Sequence, residues 1–309
     1  MSKSASKILF NSDFGHVKQN DVRKALEKIG VKERDIIMVH SDIGTFGKLG
    51  TADRDFLLKS LIDALKEVIG PGGTIVMPTF TYSFYKNKPY DIKNSKSTVG
   101  VLTEYFRKLN GVSRSAHPTH SVALWGNKKE LLDVGNDTFD RHSIFGKLHK
   151  LNAKHVFLGV SFQKSCTFVH YIEQMHGVPY RYMKTFKGKI TVNNKVKDGS
   201  ISLYYRYFFF SNSFLRLENH LLKKGLLKQQ NVGNSSISMI DSNSLFDECC
   251  KLLDKDEYYL LKNNTVLLKI FNCTLHPFLK YLPLPMRKLN DMATGIFSWI
   301  KFKINNQMD

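Results

Sequence analysis

The chain has 309 residues, 42% of them hydrophobic and 24% charged, with a formal net charge of +19. That apolar content supports a packed core and excludes disorder as the default, and no stretch approaches the roughly 20 apolar residues of a spanning helix. The charge favours anionic partners and disfavours polycations, which leaves nucleotide-bearing small molecules, nucleic acid and acidic membrane surfaces as the classes to consider.

Four cysteines, Cys166, Cys249, Cys250 and Cys273, show no metal spacing, and Cys249 and Cys250 are adjacent. Reduced thiols in a cytoplasmic compartment are expected. The N-terminus carries no apolar core of signal-peptide length.

Residues 18–30 are predicted as an amphipathic helix with Val22, Ala25, Leu26 and Ile29 on one face and Gly30 after its end. Residues 35–40 read as a buried strand, followed by the small-residue turn Ser41-Asp-Ile-Gly-Thr-Phe-Gly47. A helix over about 54–69 and a strand from Thr74 complete a β-α-β unit, with parallel pairing and a right-handed crossover expected. Residues 79–96 read as a long ordered loop, and 98–109 as a helix with Val101, Leu102, Tyr105 and Phe106 inward. A strand over 121–126, helical turns over 127–134 and 143–151, and a buried strand over 155–161 follow. Residues 188–196 form a hairpin with an Asn-Asn turn. A helix over 214–224, and a strand or turn then a helix over 236–253, close the described pattern.

The strand at 155–161, a polar turn at 163–165 and the stretch Thr167-Phe-Val-His-Tyr-Ile-Glu173 place a His/Glu pair at a sheet edge. Thr167 or Ser165 would cap this helix. At three residues' separation His170 and Glu173 share a helix face and can touch. On this pair alone, a surface histidine beside an acid competes with a catalytic base.

Val39-His-Ser-Asp-Ile43, Gly73-Thr-Ile-Val-Met-Pro-Thr79, Arg114-Ser-Ala-His-Pro-Thr-His-Ser121 and the 167–173 stretch occur in one order. In that order and spacing the chain resembles the aminoglycoside 3-N-acetyltransferase family, also called the antibiotic N-acetyltransferases. The match is good over residues 18–180, thinner over 180–260 and absent after about 262. The resemblance implies a three-layer α/β/α fold, with a central mixed, mostly parallel sheet and a small added antiparallel region. It implies acyl-CoA, by default acetyl-CoA, as co-substrate, an amine as acceptor, and His170 as general base with Glu173 orienting it. Histidine suits the step, because the attacking amine must lose a proton near neutral pH. Thr167 is the expected hydroxyl donor to the oxyanion, with Thr79 as an alternative.

The coenzyme cleft is expected from Ser41, Asp42 and Ile43 with Thr79, Arg114, Ser115, His117 and Ser121, Arg114 pairing a phosphate. An acid beside a pyrophosphate is unfavourable, so Asp42 is expected to point away. His117 is open between cleft contact and support of the loop, and His120 is expected in the fold or at the surface. His117, His120, His170 and Glu173 have spacings compatible with metal ligation, but Pro118 bars a regular helix there and no metal is expected.

Residues 181–231 hold eleven Lys/Arg against Asp198 and Glu218, a net +9. This load predicts an anionic acceptor, an amino sugar on a nucleotide or lipid diphosphate of surface polysaccharide synthesis. The alternatives are an aminoglycoside acceptor and an inactive binding protein of the same fold; no nucleic-acid motif is present. Residues 1–261 are expected as the acyltransferase domain and 262–309 as a basic, aromatic extension. Residues 290–309 could lie on an anionic membrane surface at its inner face, or pack on the domain or a partner subunit. Oligomeric state is not legible.

Overall fold

The computed structural model describes residues 7–207 and 210–262. Its centre is a seven-stranded sheet in the order Lys228–Val232, Ser235–Asp241, Lys154–Leu158, Ile36–Ser41, Thr74–Pro78, Val122–Gly126, Ser113–Arg114. Ile36–Ser41 pairs in parallel with both Thr74–Pro78 and Lys154–Leu158. The remaining pairings are antiparallel, so parallel strands form the middle of a mixed sheet.

Side-chain alternation divides the core into two layers. Ile37, Val39, Ile75, Met77, Val156 and Leu158 point to the face covered by helices Gln19–Lys28, Arg54–Ile69 and Val101–Phe106. Met38, Val76 and Phe157 point to the face covered by Ile144–Lys150, Phe168–His176, Leu215–Lys223 and Ser242–Lys255. A strand buried on both faces reads as a continuous apolar run, which is why residues 35–40 and 155–161 were legible. Asp53 caps the second helix by accepting from the Phe56 amide at 2.9 Å, and Asp241 caps the last by accepting from Ser244 at 2.9 Å.

Two small sheets flank this centre. Ile8–Ser12 pairs with Gly15–Lys18 and with Lys48–Leu49. The other holds the hairpin Arg181–Val192 and Lys195–Arg206, with Tyr90–Asp91 alongside. Its turn places Asn193 at φ 49° and Asn194 at φ 60°, the paired left-handed geometry that two-residue hairpins require.

Several expectations are corrected. The helix in 98–109 is confined to Val101–Phe106, and Val101 is 50% exposed rather than inward. Thr167 has helical dihedrals and makes no side-chain cap bond, because a short helix, Phe162–Ser165, already brings the chain in. Among the described residues no helix is long and apolar enough to cross a membrane. Residues 263–309, including Cys273 and the membrane segment expected over 290–309, lie outside the described residues.

Candidate active site

The carboxyl ends of the central parallel strands open into a cleft of about 1330 Å³, where ligands of open α/β sheets bind. Ser41 ends the first of these strands, Asp42 and Ile43 follow it, and the three line one wall. The Asp42 amide donates to Leu158 O at 3.0 Å, and Thr45 Oγ1 donates to Gly159 O at 2.5 Å. Gly159 adopts φ +73°, and a Cβ there would stand 2.4 Å from Asp42 O. Only glycine lets the two strand ends approach this closely.

The opposite wall comes from Phe168–His176 and the hairpin. His170 Nδ1 lies 2.6 Å from Glu173 Oε2. The His170 side chain is 24% exposed, whereas that of Glu173 is fully buried. Tyr180 OH donates to Glu173 Oε1 at 2.8 Å, and Arg181 Nη2 stands 2.8 Å from Oε2. Burial alone would raise the Glu173 carboxyl, but Arg181, His170 and Tyr180 outweigh it and hold it down at about 2. A carboxylate 2.6 Å from Nδ1 requires the proton between them, so the lone pair of neutral His170 is on Nε2, and the residue borders the cleft. Burial, then Arg181, lowers the His170 pKa against the pull of Glu173.

Apart from His120, the Arg114–Ser121 stretch is a frame behind the cleft rather than its lining. Arg114 Nε reaches Thr79 Oγ1 at 3.0 Å and Ser121 Oγ at 3.2 Å; Nη1 donates to the Ile92 and Ser95 carbonyls, and Nη2 to Thr79 O. Four of its five N–H groups are thus engaged, and the expected phosphate contact is corrected to a structural pin. Ser121 Oγ donates to Thr79 O at 2.7 Å, and Ser115 Oγ accepts from the Val122 amide. Thr79 is fully buried and bonded to Ser121, which removes it as an oxyanion donor. His117 Nδ1 accepts from the His120 amide at 3.0 Å, and burial lowers its pKa to about 4, so it supports the loop as a neutral ring. Thr79 meets Ser121 and Arg114 because Thr74–Pro78 pairs with Val122–Gly126, which sets residues distant in sequence side by side.

Thr167 does line the cleft, with Oγ1 3.4 Å from Ser165 O. Asp42 lines it too and is exposed. His120, expected in the fold or at the surface, is buried yet borders the cleft in an aromatic box with Phe80, Tyr82, Tyr85 and Phe139. Cys166 is 2% exposed at the same wall, and burial pushes its thiol far up. Tyr180, Arg181 and Arg206 were not singled out from the sequence. The signal available was Tyr-Arg directly after the His/Glu helix, where the first residues of a strand return to the sheet edge. Among the described residues no three His, Cys, Asp or Glu side chains group to hold a metal.

The fold and site define an α/β acyltransferase, and comparison with known proteins agrees. The profile of the family described as Aminoglycoside 3-N-acetyltransferase matches residues 38–254. Aminoglycoside N(3)-acetyltransferase IV of Salmonella sp is 26% identical over 245 residues, covering 76% of this chain and 87% of that protein. A prophage-derived aminoglycoside N(3')-acetyltransferase-like protein, YokD, of Bacillus subtilis (strain 168) is 28% identical over 214 residues, 61% of this chain and 75% of that one. The apoenzyme structure of aminoglycoside acetyltransferase AAC(3)-IVa superposes with a TM-score of 0.66 at 25% identity, over 80% of this chain and 92% of that one. AAC-IIIb, solved with CoASH, gives 0.66 at 21% identity, over 77% and 96%. The chain belongs to the aminoglycoside 3-N-acetyltransferase family. It is an acyltransferase, with acetyl-CoA as co-substrate.

Proposed function

We propose that the chain acetylates an amino group of an amino sugar by direct transfer, with His170 as general base. The observation that carries this is the buried Glu173 fixing His170 Nδ1 at 2.6 Å while the ring borders the cleft. Acetyl-CoA supplies an activated acetyl thioester. His170 takes the proton from the attacking nitrogen as the N–C bond forms and can return it to the departing sulfur as the C–S bond breaks. Glu173 stabilises the imidazolium that forms. The Thr167 hydroxyl is the side-chain candidate for the developing oxyanion. Ser41, Asp42 and Ile43, with Arg54 and Lys164 on the same cleft, are the residues that would hold the coenzyme. A cleft of about 1330 Å³ exceeds the usual range of roughly 300–1,000 Å³ for one drug-sized ligand, leaving room for a second substrate.

An aminoglycoside is the acceptor that the relatives support: a histidine-to-alanine variant of AAC(3)-IVa is solved with a gentamicin and with apramycin. The nucleotide- or lipid-linked amino sugar expected from net charge has no counterpart among those relatives. One feature of the cleft still favours it as a second reading. Arg54, Lys164 and Arg206 line the cleft against Asp42, while Arg181 and Glu173 compensate each other. Polycations prefer the opposite balance.

A steady-state panel of gentamicin, apramycin and a nucleotide-diphosphate amino sugar tests both. Higher kcat/KM for the drugs supports the first reading and higher kcat/KM for the nucleotide sugar the second. No acetylated product from any of them would remove the proposal.

A further inference from the structure

The Arg181 guanidinium touches the His/Glu pair itself, and its place is not explained by binding a substrate. Its Nη2 stands 2.8 Å from Glu173 Oε2 and 3.0 Å from His170 Nδ1, while Nη1 donates to Tyr204 O at 3.0 Å. Its side chain is 6% exposed. Three atoms, one each from His170, Glu173 and Arg181, therefore form a triangle with sides of 2.6 to 3.0 Å.

The 2.6 Å distance from Nδ1 to Oε2 places a proton on Nδ1, in the neutral ring and in the imidazolium alike. An arginine N–H and an Nδ1 proton can both point at Oε2. A bare Nδ1 would face the carboxylate oxygen at 2.6 Å with no proton between them. The carboxylate thus serves two donors at once, with Tyr180 on its other oxygen.

A buried Glu173 held by Tyr180 alone would be an unpaired charge, and the nearest group able to neutralise it is His170. The pair would then rest as imidazolium and carboxylate, with Nε2 protonated and useless as a base. Arg181 supplies the neutralising charge permanently, and its own charge beside Nδ1 opposes a second proton on the ring.

We propose that Arg181 is a positioning residue that holds Glu173 as a compensated carboxylate, so that His170 waits as a neutral imidazole with Nε2 open. This rests on the base role proposed above for His170. The other groups facing the ring are Arg206 on the same hairpin and His120 on the loop before Val122–Gly126, with Phe139 and Phe214 closing its edges. Arg206 adds to the same effect from further off. His120 is held neutral by burial and adds no charge.

The test is the pH dependence of kcat/KM for Arg181→Met and Arg181→Lys with saturating acetyl-CoA, together with a nitrogen NMR titration of His170. In Arg181→Met the acid limb is expected to move up by about one pH unit or more, so the deficit against wild type is about three- to tenfold greater near pH 6 than near pH 8.5. Arg181→Lys keeps the charge without the fork and is expected to lie between. An equal loss at every pH, with the imidazole titration unmoved, would overturn the inference. If Arg181→Met does not fold, the lysine variant carries the same comparison. Should wild type acetylate no acceptor, the proposed function falls, yet the imidazole titration still decides the role of Arg181.

Discussion

His170 and Arg114 show how far a side chain's type can mislead about its task. Histidine beside an acid was legible as a base because three residues is the spacing of a helix face, although surface pairs share that spacing. What separates this pair from those is that Glu173 is fully buried and held from three sides, which no spacing reveals. His170→Ala is expected to lower kcat by about 10²–10⁴. Acetyl-CoA affinity by calorimetry is expected to stay within about twofold of wild type; an equal collapse of both would assign the residue to folding. Glu173→Gln, which removes the charge while keeping the shape, is expected to lower kcat by about 10²–10⁴, measured with the same acceptor. Arg114 is the converse case. An arginine in a turn suggests a phosphate ligand, yet its guanidinium binds the Ile92, Ser95 and Thr79 carbonyls. Arg114→Ala is accordingly expected to cost on the order of 3 kcal/mol of stability, since it strands several buried acceptors. Urea denaturation measures that loss, and a raised acetyl-CoA KM at unchanged stability would restore the phosphate reading.

The elements whose patterns are local and strong were legible: the buried strands 35–40 and 155–161, the long amphipathic helix over 54–69, and the hairpin with its Asn-Asn turn. Short pieces were not. Ile8–Ser12 with Gly15–Lys18 lies in a stretch without alternation, and its strands are defined by pairing with each other and with Lys48–Leu49. The same limit hid half of the site. Arg181 opens a strand eleven residues beyond His170, and only the return of the chain across the sheet edge brings it within 3.0 Å. From sequence it was one basic residue among eleven between 181 and 231. Gly159 is the point of closest approach between two elements at the cleft, at the end of Lys154–Leu158 against the turn after Ile36–Ser41. Gly159→Ala is expected to displace that turn, because its Cβ would meet Asp42 O at 2.4 Å and Thr45 Oγ1 at 2.7 Å. The positive φ adds roughly 1 kcal/mol or more of strain. A weakened acetyl-CoA affinity with His170 still titrating as in wild type is the expected signature.

Across the whole molecule, stability is tied to pH through histidines that the chemistry does not require. Burial lowers His40 and His117 to about 4 and His155 to about 3, from 6.5. The unfolded chain binds protons at these rings below pH 6.5 while the folded chain does not, so stability falls as pH drops through that window and is flat above it. Each ring contributes a slope of up to about 1.4 kcal/mol per pH unit. Glu173 has the opposite cause and the same direction: its depressed pKa stabilises the fold above about 4.5, and that contribution is lost as pH falls towards 2. The melting temperature is expected to change little between about pH 8.5 and 7 and to fall steeply by about pH 5; an unchanged value at the acid end would mean these rings are hydrated in solution. The order of strands in the central sheet has a further consequence. One outermost strand, Lys228–Val232, reads Lys-Gln-Gln-Asn-Val, and the other, Ser113–Arg114, is two residues long. Neither offers a long apolar edge on which a second chain could add a strand. Among the described residues both ends of the sheet are thus poor templates for a further strand, which works against fibre growth in a crowded solution.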